Sequence, residues 1–308
     1  MSTVEPALAH GISLRIAHDV SRPPWLDREL FPFRSHFAWI AGTRFHYIDE
    51  GAGPILLFLH GGPMSSFMWR HAVTRLRARY RCIAVDLPGL GLSTTECVRG
   101  EGFARMADAL QAFVRALELD RFTLIVHATG GPSGLEMAVR ERARVSGLVT
   151  SNTFAWPLMR VPRLGTFVRV VSSRWFGFFV VRFNLLARIA ARRGRRHGTF
   201  DARERAAIMG PYEQRATREH LANLLYGLRV ETEFFARLER RMMTLSSIDS
   251  LLLFGAEDNN YKAGAQDRFA KLLPSHERVV LPGASHFLTE DAPDAYTSAL
   301  DEWLSRRS

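Results

Sequence analysis

The nine residues Leu124-Ile125-Val126-His127-Ala128-Thr129-Gly130-Gly131-Pro132 constrain this chain more than any others. An apolar run stops at His-x-x-Gly-Gly, and a helix-like stretch follows. That is the outline of a strand-to-helix elbow, which lifts one side chain above a sheet. Its glycines let strand and helix approach with no Cβ between them. The lifted position lies two residues before the first Gly, where a nucleophile would be Ser, Asp or Cys. Here it is Ala128, which has no nucleophilic atom. The elbow predicts an architecture and leaves the reaction open.

The rest of the chain agrees with that architecture. An apolar strand at 55–59, of the kind buried on both faces of a parallel sheet, ends at His60-Gly61-Gly62-Pro63. A helix is expected at 67–80 and a strand at 82–85, followed by Asp86-Leu87-Pro88-Gly89-Leu90-Gly91. Phe103, Met106, Leu110, Phe113 and Leu117 recur at helical spacing and predict a helix over 102–119. The strand at 123–126 feeds the elbow; a helix at 131–141 and a strand at 147–151 follow. Short β-like runs at 37–40 and 44–49 read as a hairpin. Residues 1–36, with Pro23, Pro24 and Pro32, read as an irregular lead-in.

After Asn152-Thr153-Phe154-Ala155-Trp156-Pro157 the alternation stops. It resumes with a strand at 251–255, a helix at 263–273, a strand at 278–281 and a terminal helix from about 291. Repeated strand–helix units predict an α/β fold, a mostly parallel twisted sheet flanked by helices with right-handed crossovers. Residues 1–152 and 245–308 would form the core. Residues 153–244 would form a helical cap over the C-terminal ends of the strands, where sites in such sheets form.

Composition excludes several classes. At 308 residues, with 47% apolar and 23% charged residues, the chain suits a globular α/β domain with an insertion. Cys82 and Cys97 give neither a disulfide framework nor a metal spacing. No dinucleotide fingerprint or metal-ligand cluster occurs, so no cofactor is expected. Residues 1–23 lack a basic-then-apolar secretory pattern, and no apolar run is long enough to span a bilayer, so a cytoplasmic location is expected. The net charge of +10 is local: ten Arg and no acidic residue fall between positions 160 and 196. No nucleic-acid module accompanies them, so no nucleic-acid partner is expected.

The ordered motifs resemble the α/β-hydrolase fold, in the flavour of its haloalkane dehalogenase and epoxide hydrolase branch. His46-Tyr47-Ile48-Asp49-Glu50-Gly51, the oxyanion-loop motif His60-Gly61-Gly62-Pro63, Asp86-x-Pro88-Gly89-x-Gly91, the elbow and Asn152-Thr153-Phe154-x-Trp156-Pro157 carry the resemblance. It runs from about residue 37 to the C-terminus. It implies that Asp258 is the acid, with Glu257 its nearest competitor, and that His286 is the base. The order elbow, acid, His is that of the fold, and the acid would orient the imidazole. Gly62 and Thr129 would offer main-chain oxyanion donors. His60, Trp156 and Trp175 would belong to the oxyanion loop and substrate-binding surface.

Two departures stand out. Related dehalogenases carry Asp then Trp at the elbow; this chain has Ala128 then Thr129. One subgroup has Asn where this chain has Gly62. Trp175 is a candidate replacement donor, and equally an aromatic that packs a cap helix. Thr129, Ser133, Ser65 and Ser66 are poor substitutes for the missing nucleophile. Thr129 leaves the turn in another direction, Ser133 is inside a helix, and Ser65 and Ser66 suit a helix start.

Three readings remain open. The first is a hydrolase of this branch whose nucleophile is replaced, acting on a small apolar alkyl halide, epoxide, ester or lactone. The second is a non-covalent general-base enzyme, a lyase, isomerase, decarboxylating or cyclising enzyme using His286. The third is a retired ligand- or membrane-binding protein. Arg174, Trp175, Phe176, Phe178, Phe179, Arg182 and Phe183 interleave charge with aromatic surface, which suggests weak contact with an anionic membrane. The simpler expectation turns that helix's apolar face over the pocket and its Arg to solvent. The oligomeric state is open.

Overall fold

The computed structural model describes residues 7–9, 12–18, 22–162 and 164–307. Its strands are β1 (Ala7–Ala9), β2 (Ile12–His18), β3 (Ser35–Ile40), β4 (Thr43–Glu50) and β5 (Ile55–Leu59). Then come β6 (Arg81–Val85), β7 (Phe122–His127), β8 (Val145–Ser151), β9 (Ser250–Gly255) and β10 (His276–Leu281). They form one sheet in the order β1-β2-β3-β4-β6-β5-β7-β8-β9-β10. From β6 to β10 neighbours are parallel; from β1 to β6 they are antiparallel.

The expected strands all form. The irregular lead-in does not hold, because β1 and β2 lie inside residues 1–36. The three prolines follow β2, and β2 is held by main-chain pairing to β3, Arg15 opposite Trp39 through His18 opposite His36. Neighbouring backbone supplies that strand, which a local pattern does not reveal.

Helices cover both faces. On one side lie α1 (Arg70–Leu76) and, at the chain end, the last helix; on the other lie α2 (Gly102–Ala116) and α3 (Gly130–Arg140). The buried face of α2 is Phe103, Met106, Ala107, Leu110, Phe113 and Val114, the periodicity the sequence displays. Each large apolar side chain so buried stabilises by roughly 1.5–3 kcal/mol. The helix expected at 67–80 is shorter, since 66–69 form a 3-10 turn capped by the Ser65 hydroxyl.

Between β8 and β9 the chain makes a helical insertion. It holds α4 (Leu164–Val171), α5 (Arg174–Phe183), α6 (Leu185–Arg193), α7 (Ala202–Met209), α8 (Arg215–Val230) and α9 (Thr232–Arg241). The chain closes with α10 (Asn259–Lys262), α11 (Ala265–Leu272), α12 (Leu288–Asp291) and α13 (Pro293–Ser305).

Two buried links fasten the insertion. Glu231 accepts the Phe103 and Ala104 N–H groups at 3.1 and 3.0 Å, placing its carboxyl at the start of α2. Arg70 of α1 makes a paired contact with Glu290 at 2.5 and 2.8 Å and reaches Glu204 of α7 at 3.0 Å.

Strand β5 lies between β6 and β7, so the chain leaves β5 to one side and later returns to the other. The C-terminal ends of β5 and β7 flank that reversal, where open α/β sheets place their crevices. The loop at His60 and the elbow at Ala128 both begin there. Among the described residues no single helix is long and apolar enough to cross a membrane.

Candidate active site

Strand β7 ends at His127, and α3 starts at Gly130. Ala128 between them has φ of 46°, in the left-handed region that a side chain avoids unless the surroundings impose it. The surroundings are specific. The Ala128 carbonyl accepts the Thr153 hydroxyl at 2.6 Å and the Gly131 N–H at 3.1 Å. A Cβ at Gly130 would meet the His60 carbonyl oxygen at 2.1 Å, and one at Gly131 would meet Thr153 Oγ1 at 1.8 Å. Only glycine fits either position, which is why the elbow glycines are legible in the sequence.

Asp258 follows β9 and caps α10, its Oδ1 accepting the Asn260 and Tyr261 N–H groups at 2.7 and 3.1 Å. Its Oδ2 accepts from His286 Nδ1 at 2.7 Å. Asp258 is buried and His286 is partly open to the cavity. With Nδ1–H committed to Asp258, a neutral His286 carries its lone pair on Nε2. Such an imidazole can accept a proton. Glu257 also lines the cavity, but its carboxylate pairs with Lys262 at 2.6 Å and Arg196 at 3.8 Å rather than with His286.

The loop carrying His286 is tied to the elbow by residues that the sequence reading left without a role. His127 Nε2–H donates to the His286 carbonyl at 2.8 Å, while its buried Nδ1 has no partner among the described residues. A carbonyl only accepts, so the His127 proton sits on Nε2 and the neutral ring has its lone pair on Nδ1. Burial, joined by the neighbouring His286, pushes its pKa down to about 3. Asn152 Nδ2 donates to the Ser285 and His286 carbonyls at 2.8 and 3.0 Å, and its Oδ1 accepts the Gly255 N–H at 2.9 Å. One amide thereby joins the ends of β8 and β9 to the His286 loop. The sequence marks Asn152 only as the exit from β8.

On the oxyanion side, Gly62 N–H donates to the Thr129 hydroxyl at 2.9 Å. The main-chain donor expected at Gly62 is therefore engaged inside the protein. Thr129 turns toward Gly62, the different direction that its place after the elbow tip predicts.

Three expected substrate-surface residues lie elsewhere. His60 is fully buried beneath its loop, with Nε2 accepting the Leu87 N–H at 2.9 Å and Nδ1–H facing the Gly61 carbonyl at 3.2 Å. Burial lowers its pKa and keeps it neutral. It holds the loop and does not face the cavity. Trp156 is buried outside the cavity, 4.9 Å from the Phe269 ring, with the Arg268 guanidinium 4.6 Å over its own. Trp175 is 77% exposed on α5 and does not reach the cavity. Its helix buries only Val180, so the expectation of an aromatic face over the pocket is also reversed.

Asp86, visible in the sequence only as part of a loop motif, is a structural hub. It accepts from His46 Nδ1 at 2.8 Å, Ser66 N–H at 2.6 Å and Leu92 N–H at 2.8 Å. Burial alone would raise its pKa; His46 and the other donors prevail and hold it at about 2.

A cavity of about 360 Å³ opens over Ala128, Thr129, Gly62, Asp258 and His286. The helical insertion supplies most of its apolar wall, through Leu164, Val168, Leu186, Ala190, Leu225 and Leu228. The lining is mostly apolar, with Glu257, Asp258, Asn259, Asn260, Ser285 and His286 giving it a polar end.

Comparison with known proteins agrees with this fold. The alpha/beta hydrolase fold family matches residues 54–293. Haloalkane dehalogenase 2 of Mycobacterium tuberculosis is 33% identical over 282 residues, covering 90% of this chain and 96% of that protein. A cis-3-alkyl-4-alkyloxetan-2-one decarboxylase of Shewanella oneidensis is 25% identical over 285 residues, covering 90% of each. Among solved structures, the haloalkane dehalogenase DbeA from Bradyrhizobium elkani superposes with a TM-score of 0.77 at 23% identity, covering 88% of this chain and 97% of that one.

Proposed function

The chain belongs to the α/β-hydrolase fold family, with haloalkane dehalogenases among its homologues, and we propose that within this family it is a general-base enzyme that forms no covalent intermediate. The observation that carries this reading is the His286–Asp258 pair, 2.7 Å apart, beside an elbow whose tip is Ala128. His286 Nε2 takes a proton from water or from the substrate. Asp258 holds the imidazole in the tautomer that does so and stabilises its charged form. Residues 153–244 act as a cap on a core of 1–152 and 245–308, and their apolar wall excludes bulk water.

The substrate is a small, neutral, apolar molecule of the alkyl halide, epoxide, ester or lactone type, which fits the lining of the cavity. In a hydrolytic turnover, water oxygen bonds to the electrophilic carbon as the bond to the leaving group breaks. The water proton passes to His286 and is then released to solvent or to the leaving group.

A second reading rests on a separate observation. Ala128 keeps the strained φ of 46°, although nothing in a methyl side chain requires it. A hydrolase that has lost its nucleophile would keep that strain. Loss of a nucleophile from a working triad costs about a million-fold in turnover.

One assay separates the two readings. The protein, His286→Ala, Ala128→Asp and Ala128→Ser are compared on haloalkanes, epoxides, aryl esters and lactones. Turnover by the protein itself, abolished in His286→Ala, supports the general-base reading. Turnover confined to Ala128→Asp or Ala128→Ser favours the lost nucleophile and rejects the first reading.

A further inference from the structure

Helix α5 has an aromatic surface with nothing over it among the described residues. Trp175, Phe178, Phe179 and Phe183 are all exposed, at 77%, 53%, 44% and 48%. The three phenylalanine rings form one cluster, with centroids 5.6 to 6.3 Å apart. Arg182 lies 5.1 Å over the Phe183 ring, and Arg174 stands at the start of the same helix. Phe167 and Val170 of α4 and Ile189 of α6 extend the exposed apolar surface. Soluble monomers rarely leave so much contiguous apolar surface open, and such patches mark interaction sites.

The charge carried by α4, α5 and α6 has one sign. Residues 160–196 carry ten Arg and no acidic residue. Arg195 and Arg196 find carboxylates in Glu204, Glu290 and Glu257. Arg169, Arg174, Arg182, Arg188, Arg192 and Arg193 are exposed, with no carboxylate partner among the described residues. A second copy of this chain, docked face to face, would oppose like charges with nothing to neutralise them. An anionic bilayer supplies both an apolar interior for the rings and phosphate for the guanidinium groups.

The two helices are suited to lie along such a surface. Taken together α4 and α5 are apolar enough to resemble a span, yet they are 8 and 10 residues long and bend by 56° at their junction. The cavity opens on the same side. Phe167 and Ile189 line it and are also 57% and 43% exposed, so its apolar wall runs out into the patch.

We propose that the surface formed by α4, α5 and α6 docks on anionic lipid bilayers, with the cavity mouth facing the lipid so that an apolar substrate enters from the membrane. The docking itself does not depend on the reaction proposed above. Its test measures binding alone and leaves that reading untouched if it fails.

Flotation is carried out with vesicles of phosphatidylcholine and with vesicles of phosphatidylcholine mixed with phosphatidylglycerol, at low and high salt. The expected result is binding to the mixed vesicles, weakened by salt because the arginines are exposed. Arg174→Gln and Arg182→Gln should each weaken it about fivefold. The pair Trp175→Ser and Phe178→Ser should abolish it while leaving the circular dichroism and melting temperature unchanged, since both side chains are exposed. Failure to bind mixed vesicles at low salt overturns the proposal. So does binding that survives the Trp175→Ser and Phe178→Ser pair. A vesicle-independent dimer in sedimentation, dissolved by that pair, with no vesicle binding, overturns it in favour of a second copy.

Discussion

The Thr129 hydroxyl accepts the Gly62 N–H at 2.9 Å, joining the residue after the elbow tip to the loop after β5. This contact occupies one of the two main-chain donors expected, from the family resemblance, to face an oxyanion. An anionic group entering there must displace a hydroxyl that is already bonded. The elbow tip carries only the methyl group of Ala128, and the Gly62 N–H beside it is already engaged.

Removing the hydroxyl should free the donor. In an Ala128→Ser background, Thr129→Ala should raise kcat for an aryl ester by about ten- to a hundredfold, less than the 10²–10³ that one whole oxyanion donor is worth. Steady-state kinetics of the single and double variants provide the check. Equal kcat values would mean that the hydroxyl already yields to the substrate at no cost.

Asp258 should matter through its charge. Asp258→Asn keeps the side-chain shape but favours the wrong imidazole tautomer, and a loss of about 10⁴ in kcat is expected by analogy with catalytic triads. Glu257→Gln should leave kcat within about twofold, because Glu257 pairs with Lys262 and not with His286. A comparable loss in both variants would refute this assignment of the acid.

His127 makes stability depend on pH. Its folded pKa, about 3, lies below the usual value of 6.5. Between those values the unfolded chain binds the proton and the folded protein does not. Stability therefore rises with pH across this window and falls as pH drops from about 6.5 toward 3, by a few kcal/mol in all. His127→Gln keeps an N–H donor for the His286 carbonyl and removes the titration. Urea denaturation at pH 7.5 and pH 5 should show a smaller acid loss in His127→Gln than in the parent protein. Equal losses would assign the acid sensitivity to other groups.

Arg70 should be costly to remove. It is buried, pairs with Glu290 at 2.5 Å and reaches Glu204 of the insertion at 3.0 Å. Arg70→Ala leaves the buried Glu290 carboxylate with only the longer Arg195 contact at 3.4 Å and should cost about 3 kcal/mol. Arg70→Met with Glu290→Leu should recover much of that loss, because no buried charge remains unpaired. Denaturant melts of the single and double variants test the difference. If the double variant is no more stable than Arg70→Ala, packing at Arg70 outweighs the stranded charge.

Much of the fold is legible in the sequence because its signals are local. A run such as Leu56-Leu57-Phe58-Leu59 has to be buried on both faces. The glycines after Ala128 are set by close approach to His60 and Thr153. The Asp258–His286 pairing was implied by the family resemblance, and the structure brings the two within 2.7 Å. The strands β1 and β2 were not legible, because main-chain pairing with a neighbouring strand makes them.

The division between sequence and tertiary structure is clearest in three aromatic residues. The sequence by itself determined that the chain alternates strand and helix, where the elbow lies, and that Ala128 is its tip. It also determined that α5 has an aromatic face. Only the tertiary structure decided where such faces point: Trp156 went into a packed core beside Phe269, and Trp175 went to solvent with Phe178. It also turned Thr129 onto Gly62 and His127 onto the His286 loop. Periodicity records which residues of one element share a face. What covers that face, and which buried donor meets which acceptor, depends on elements far apart in the chain, and their approach is set by the packing of the whole.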